Sequence, residues 1–350
     1  MAESPKALHA TYMPFLFIFK NFLFLRFKTK MKLAVTLGEI IRPIEKEFVE
    51  FEARYDEAMR GMAKPLMGML DGQRHGKKLR PLLVLLSSIV CGDVVDDTYR
   101  TAIAVELLHT ATLFHDDVVD EASTRRDTLS LNARWGNKAA VLIGDYVLAQ
   151  AVTLLAENKN QEIVLDVLDA TRDMGNGELV QMRNTAMMES SEASYIEVIK
   201  HKTASLLSAC CMTGAKAANA APWQVDALAR YGLYFGIAFQ MRDDLLDYGT
   251  AEIGKPLGSD LNEGKFTLPL IAHLATLGEP ERKTIVEDIK NRRNLEEIAN
   301  AVRNGEGMSY TENAIKHYTE LAIAQLEDFS PDEKRMAMEQ LARYCGLREK

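Results

Sequence analysis

Strand signals are nearly missing from these 350 residues: no stretch alternates convincingly between apolar and polar, and no hairpin turn joins two such stretches. Helices are therefore left to build the core. Cysteine is scarce too. Cys91, Cys210, Cys211 and Cys345 lack metal-ligand spacing, and the neighbours Cys210 and Cys211 make a poor bridge. Buried thiols in a reducing cytosol are expected, and the chain is expected to be cytoplasmic. Positive charge is short: 42 Lys and Arg stand against 50 Asp and Glu, a net charge of −8 with no broad basic face. Nucleic acid is therefore excluded as a partner.

Long apolar runs are also wanting. Residues 10–19 are apolar or uncharged, but Lys20 and Arg26 interrupt the continuation, and the whole stretch is too broken for a spanning helix. A small-residue cleavage site, which a signal peptide would need, is missing as well. Residues 1–30 are expected to be an extension, read in three ways: a non-native upstream start, a membrane-surface contact through residues 10–27, or a targeting segment. Met31 opens an ordinary start, and residues 31–350 are expected to form a single all-α domain.

What is present is helical periodicity. Apolar residues recur at helical spacing over 37–62, 98–119, 137–157, 161–181, 193–217 and 225–247, with a dense apolar run at 81–90. Several of these are apolar over most of their circumference, as in helices buried in a large bundle. Breaks are expected at 72–76, 123–128 and 249–264.

Two of the helices close on the same acidic pattern. Asp116, Asp117 and Asp120 are followed by Arg125 and Arg126; Asp243, Asp244 and Asp247 are followed by Lys255 and Lys265. Positions i and i+4 of a helix point the same way, and i+1 lies about 100° round. Each motif thus projects carboxylates from about one turn, which repel one another unless a cation sits between them. Mg²⁺ fits, since it takes one or two protein carboxylates and completes its octahedron with water and phosphate oxygens. The negative end of each helix favours a cation further. One such triad is weak evidence, recurring by chance in roughly one chain in a dozen of this length. Two triads with basic flanks point to a shared site. Lys77 and Arg80, within Gly76-Lys77-Lys78-Leu79-Arg80-Pro81, add a point charge and a planar fork for phosphate oxygens.

The strings HDDVVDEASTRR, GKKLRP, KTASLL, GIAFQMRDDLLDY and GKPLGSDLNEGKFTLPL, within a match that runs from about residue 37 onward, resemble the trans-isoprenyl diphosphate synthases, of the medium- or long-chain type. The resemblance implies an all-α barrel of long helices around a deep cavity, a homodimer, and peripheral membrane contact for product release. It implies that Lys77, Arg80, His109 and Arg126 hold isopentenyl diphosphate. The six aspartates would hold Mg²⁺, three ions with substrate bound, bridging an allylic diphosphate. Arg125, Lys202, Thr203, Gln240, Lys255 and Lys265 would complete that allylic pocket, with Lys202 also counted among the catalytic residues. Two residues depart from the family pattern: Lys78 stands where Arg is frequent, and Arg242 where an apolar residue is usual. Arg242 is placed to pair with an aspartate and weaken metal affinity.

The chemistry implied is sequential condensation of isopentenyl diphosphate onto an allylic diphosphate, farnesyl or geranylgeranyl. Breaking the allylic C–O bond leaves a carbocation and a diphosphate whose charge the site stabilises. The double bond of isopentenyl diphosphate attacks the cation, released diphosphate takes a proton, and water must be kept out. The growing chain would run down the helix before the first motif, past Leu108, Ala111 and Thr112. Position 111 lies about 7.5 Å from Asp116 along the axis. Small residues there leave the shaft open, so the expected product exceeds geranylgeranyl diphosphate and suits a quinone side chain. Phe114, Tyr146 and Met182 are candidate floors. The alternatives are a short-chain synthase and a catalytic subunit of a heteromeric synthase. A class I terpene cyclase is disfavoured by GKKLRP and by the second motif, and a di-iron bundle by a lone Glu106-x-x-His109. A regulatory subunit would be expected to lose aspartates that are all present here.

Overall fold

The computed structural model describes residues 36–62, 64–70, 76–125, 128–249 and 258–348. Residues 1–30, Arg126 and Lys255, to which the sequence assigns roles, lie outside them. Val35–Lys350 make one compact unit. Its helices begin with α1 (Leu37–Ile41), α2 (Glu45–Arg60), α3 (Lys64–Leu70), α4 (Leu79–Cys91) and α5 (Asp96–Val119). After α6 (Leu131–Trp135) come α7 (Asn137–Ala156), α8 (Gln161–Met187), α9 (Glu192–Ile199), α10 (Ser205–Ala217) and α11 (Pro222–Asp247). The C-terminal part holds α12 (Ser259–Asn262), α13 (Leu268–Ala275), α14 (Glu279–Lys290), α15 (Leu295–Asn304), α16 (Glu306–Ala324) and α17 (Glu333–Leu347). The strand pair among the described residues is tiny: β1 (Thr124–Arg125) runs antiparallel to β2 (Thr128–Leu129).

Local chemistry explains most boundaries. Thr36 and Glu39 cap each other at the start of α1. Pro43 then sits in a 3₁₀ turn that splits the helix expected over 37–62, because proline withholds the N–H that a continuous helix needs. Asn160, Ser191 and Asp332 accept backbone N–H bonds at the starts of α8, α9 and α17. The expected helix over 193–217 is broken in the middle by a π-helical stretch, Lys200–Ala204.

Leu82, Leu83, Val84, Leu85 and Leu86 of α4 are all fully buried, so this helix is enclosed on every side, by α5 and α10 among others. Each such aliphatic contributes roughly 1.5–3 kcal/mol of transfer free energy. A second apolar cluster, with Tyr248, Leu268, Leu270 and Val302, packs α13, α15 and α16 against the end of α11. The two clusters hold the ends of α5 and α11 in place, and the acidic motifs stand at those ends.

Candidate active site

Asp120 caps the C-terminus of α5, and Asp247 is the last residue of α11. Both motifs border open space. A cavity of ≈ 1030 Å³ is lined by Asp116, Asp243, Lys77, Arg80 and His109, and a second of ≈ 520 Å³ by Asp243, Asp244, Asp247, Arg125 and Lys265. Lys202, Thr203, Gln240 and Asp243 belong to both and form their common wall. The structure thus brings the described site residues of the two motifs and the basic cluster to one paired opening.

The six aspartates are not equivalent. Asp117 is 1% exposed and accepts from Arg125 Nε at 2.6 Å. The β1–β2 turn carries Arg125 back to it. Asp244 is 5% exposed and accepts from Tyr195 Oη at 2.6 Å and from Gln240 Nε2 at 2.8 Å. Thr203 donates to Gln240 Oε1 at 2.8 Å, extending the chain of bonds across the common wall. Asp247 accepts from Ser259 Oγ at 2.6 Å and from the backbone N–H groups of Ser259 and Asp260 at 3.2 and 3.1 Å. It holds the N-terminus of α12 where the chain returns to the site. Asp116, Asp120 and Asp243 are the carboxylates best placed to face a cation instead of bracing the helix ends.

Charge in the site follows from burial. Desolvation pushes the Asp116 carboxyl up to about 6, with Lys202 opposing and Glu178 and Asp120 reinforcing. Asp244 is also raised, by burial first and then by the nearby Asp260. Burial alone would lower the Lys265 amine, but its bond to Glu263 and the charges of Asp260 and Asp120 hold it above its ordinary value. Hard oxygen donors crowd around an excess of carboxylate, which is the environment a small divalent cation relieves. Among the described residues no three Asp, Glu, His or Cys side chains converge into a complete metal cage. That fits an ion held by one or two carboxylates and finished by substrate oxygens.

Several participants escaped the sequence reading. Lys202 Nζ lies 2.5 Å from Glu178 Oε2 and 3.3 Å from Gln181 Oε1, two partners on α8 that belong to no motif. Gly177 makes this approach feasible: a Cβ there would stand 2.5 Å from the backbone nitrogen of Lys202. The π-helical stretch that carries Lys202 and Thr203 turns both toward the common wall. Thr171, Met174, Gly175, Glu178 and Leu179 line the larger cavity at helical spacing, so Met174 is a shaft residue and not merely packing. Tyr195 and Arg348 carried no motif at all.

The chain-length residues divide. Ala111 and Thr112 line the larger cavity, Ala111 at 1% exposure. Leu108 does not; it points into the core, and this corrects its assignment to the shaft. Phe114 is core as well, while Tyr146 and Met182 are exposed, and none of the three lines the cavity. Arg242 is corrected in part: its Nε donates to the carbonyl of Arg348 at 2.7 Å, and it is Arg348 that pairs with Asp243.

Comparison with known proteins agrees with this geometry. The polyprenyl synthetase family pattern matches residues 64–304. The chain belongs to the polyprenyl synthetase family. It is 36% identical over 287 residues to the octaprenyl diphosphate synthase of Haemophilus influenzae, covering 79% of this chain and 87% of that one. It is 32% identical to the all-trans-nonaprenyl-diphosphate synthase (geranyl-diphosphate specific) of Rhodobacter capsulatus, over 88% of this chain and 96% of the relative. A polyprenyl synthase of Caulobacter crescentus, solved with calcium and isoprenyl diphosphate, superposes with a TM-score of 0.86 at 30% identity, covering 91% of this chain and 100% of that one. The all-α expectation holds, and the protein is a prenyltransferase.

Proposed function

We propose that this synthetase condenses isopentenyl diphosphate repeatedly onto an allylic diphosphate, with Mg²⁺, to give an all-trans product longer than geranylgeranyl diphosphate. The observation that carries this reading is the paired opening: Asp116 and Asp243, from opposite motifs, line the cavity that also holds Lys77, Arg80 and, on the α5 side of its shaft, the small residues Ala111 and Thr112. Asp116, Asp120 and Asp243 are the residues that would hold magnesium. When bound there it supplies positive charge to the departing diphosphate.

The chain's own residues do the rest. Lys202, Arg125 and Lys265 surround the smaller cavity and stabilise negative charge growing on the allylic leaving group. Lys77, Arg80 and His109 hold the second diphosphate so that its double bond faces the developing cation. Leu148, Met174, Leu179 and Ala111 give the shaft apolar walls that admit a hydrocarbon and exclude water. The product is proposed to serve a quinone side chain, in a cytoplasmic enzyme that touches the membrane to release it.

A homodimer is part of the proposal. Val141, Leu142 and Tyr146 on α7 and Leu165, Leu179 and Met182 on α8 are exposed large apolar side chains, and Leu179 belongs to the shaft wall as well. A second copy over this face would bury that surface and seal the shaft's side. Light scattering should give twice the chain mass, and Leu142→Glu should halve it. A requirement for a different chain would instead favour the heteromeric form. The function itself is tested by mass spectrometry of products made from farnesyl and isopentenyl diphosphates with Mg²⁺. Products beyond twenty carbons are expected, and a product ending at twenty would return the short-chain reading.

A further inference from the structure

The C-terminal helix ends beside the reacting centre. Helix α17 stops at Leu347, and Arg348 leaves it with φ −57° and ψ 146°. Its side chain is 9% exposed, its guanidinium is ion-paired with Asp243, and it lies 4.1 Å from the centroid of the Phe239 ring. Arg242 Nε holds the Arg348 carbonyl at 2.7 Å, so the backbone is tethered while the side chain can swing. Arg348 and Asp243 both line the larger cavity with Lys77 and Arg80, and Asp243 reaches into the smaller one too.

A guanidinium therefore occupies the second-motif carboxylate that the prenyl-transfer reading gives to the cation. Two cations cannot share that carboxylate at full strength, and a partly exposed pair is weak enough to exchange, since Asp243 is 41% exposed. The same planar fork matches phosphate oxygens as well as it matches a carboxylate. Phe239 also lines this cavity, and its face supports the guanidinium wherever it turns nearby. We propose that Arg348 is a built-in counter-ion for Asp243, displaced when a divalent cation arrives, and that it then turns to the diphosphate in the Lys77–Arg80 cavity. Filling the allylic pocket would thus complete the other pocket, which makes Arg348 a positioning residue that sets the order of binding. This rests on the prenyl-transfer reading.

The test uses the full chain and Mn²⁺ as a spectroscopic substitute, with free ion measured by electron paramagnetic resonance in the presence of inorganic diphosphate. Arg348→Ala should bind Mn²⁺ about threefold to tenfold more tightly than the native chain, and Arg348→Lys should fall between them. In steady state, Arg348→Ala should raise KM for isopentenyl diphosphate about tenfold and leave KM for the allylic substrate unchanged. Unchanged or weaker Mn²⁺ binding in Arg348→Ala would overturn the proposal, as would equal rises in both KM values. If Arg348 only anchors the C-terminus, melting temperature falls while Mn²⁺ affinity stays put, which also overturns it. Should Arg348→Ala fail to fold, Arg348→Lys alone decides, because an affinity equal to that of the native chain rejects the exchange. A native chain that forms no prenyl product rejects the function instead, and leaves the Mn²⁺ comparison to be read separately.

Discussion

Asp116 is a carboxyl that burial holds near 6, with an ordinary value of 3.8 when unfolded. Between those values the folded chain binds one more proton than the unfolded one, so metal-free stability falls as pH rises from about 4 through about 6. Asp116→Asn should remove that decline and raise stability above pH 6 by on the order of 1–2 kcal/mol in the presence of a chelator, read from urea midpoints across pH. The same substitution should abolish most activity, because the group is kept for a cation and not for the fold. Tyr195 works differently, since its hydroxyl braces Asp244 from a fully buried position. Tyr195→Phe leaves that carboxylate short of a donor, and a loss of about 1–3 kcal/mol is expected by thermal or urea unfolding, with reduced kcat. The six aspartates were legible as a group from their spacing. Their division into bracing and cation-facing members was not, because the partners Arg125, Tyr195, Gln240 and Ser259 are ordinary residue types brought together only by folding.

At the scale of the element, the π-helical stretch Lys200–Ala204 decides where Lys202 and Thr203 point. Hydrophobic periodicity cannot show it, since one extra residue in a turn leaves the flanking pattern intact. Only the fit against α8 and α11 reveals it: Gly177 meets the backbone of Lys202, and Gly236 meets Ala204. Gly177→Ala would force the stretch outward, at a cost of about 1–3 kcal/mol and a loss of activity larger than that of a glycine-to-alanine control at Gly68, where a Cβ meets nothing within 4 Å. An unchanged melting curve and rate would mean that the close approach has no energetic consequence. Helix existence and order, by contrast, could be read directly, and the ends of α5 and α11 fell where the acidic motifs suggested. Pro43 marked a break that apolar spacing alone passed over.

For the whole molecule, two apolar clusters hold the ends of α5 and α11 so that they border one paired opening with a shaft leading away. Shaft depth was legible in Ala111 and Thr112, while the facing wall on α8 was not, because Met174 and Leu179 look like packing until α8 is seen to run past both cavities. Ala111→Tyr should shorten the product to twenty carbons or fewer with the metal requirement unchanged, as mass spectrometry would show; an unaltered chain length would remove Ala111 from the shaft. The shared opening itself is tested most directly by a double-mutant cycle on Asp116→Asn and Asp243→Asn. The quantity measured is Mn²⁺ affinity in the presence of a non-hydrolysable allylic diphosphate analogue. Two carboxylates gripping one metal–diphosphate group should couple by more than about 1 kcal/mol, whereas losses that add to within about 0.5 kcal/mol would show two independent sites and contradict the account.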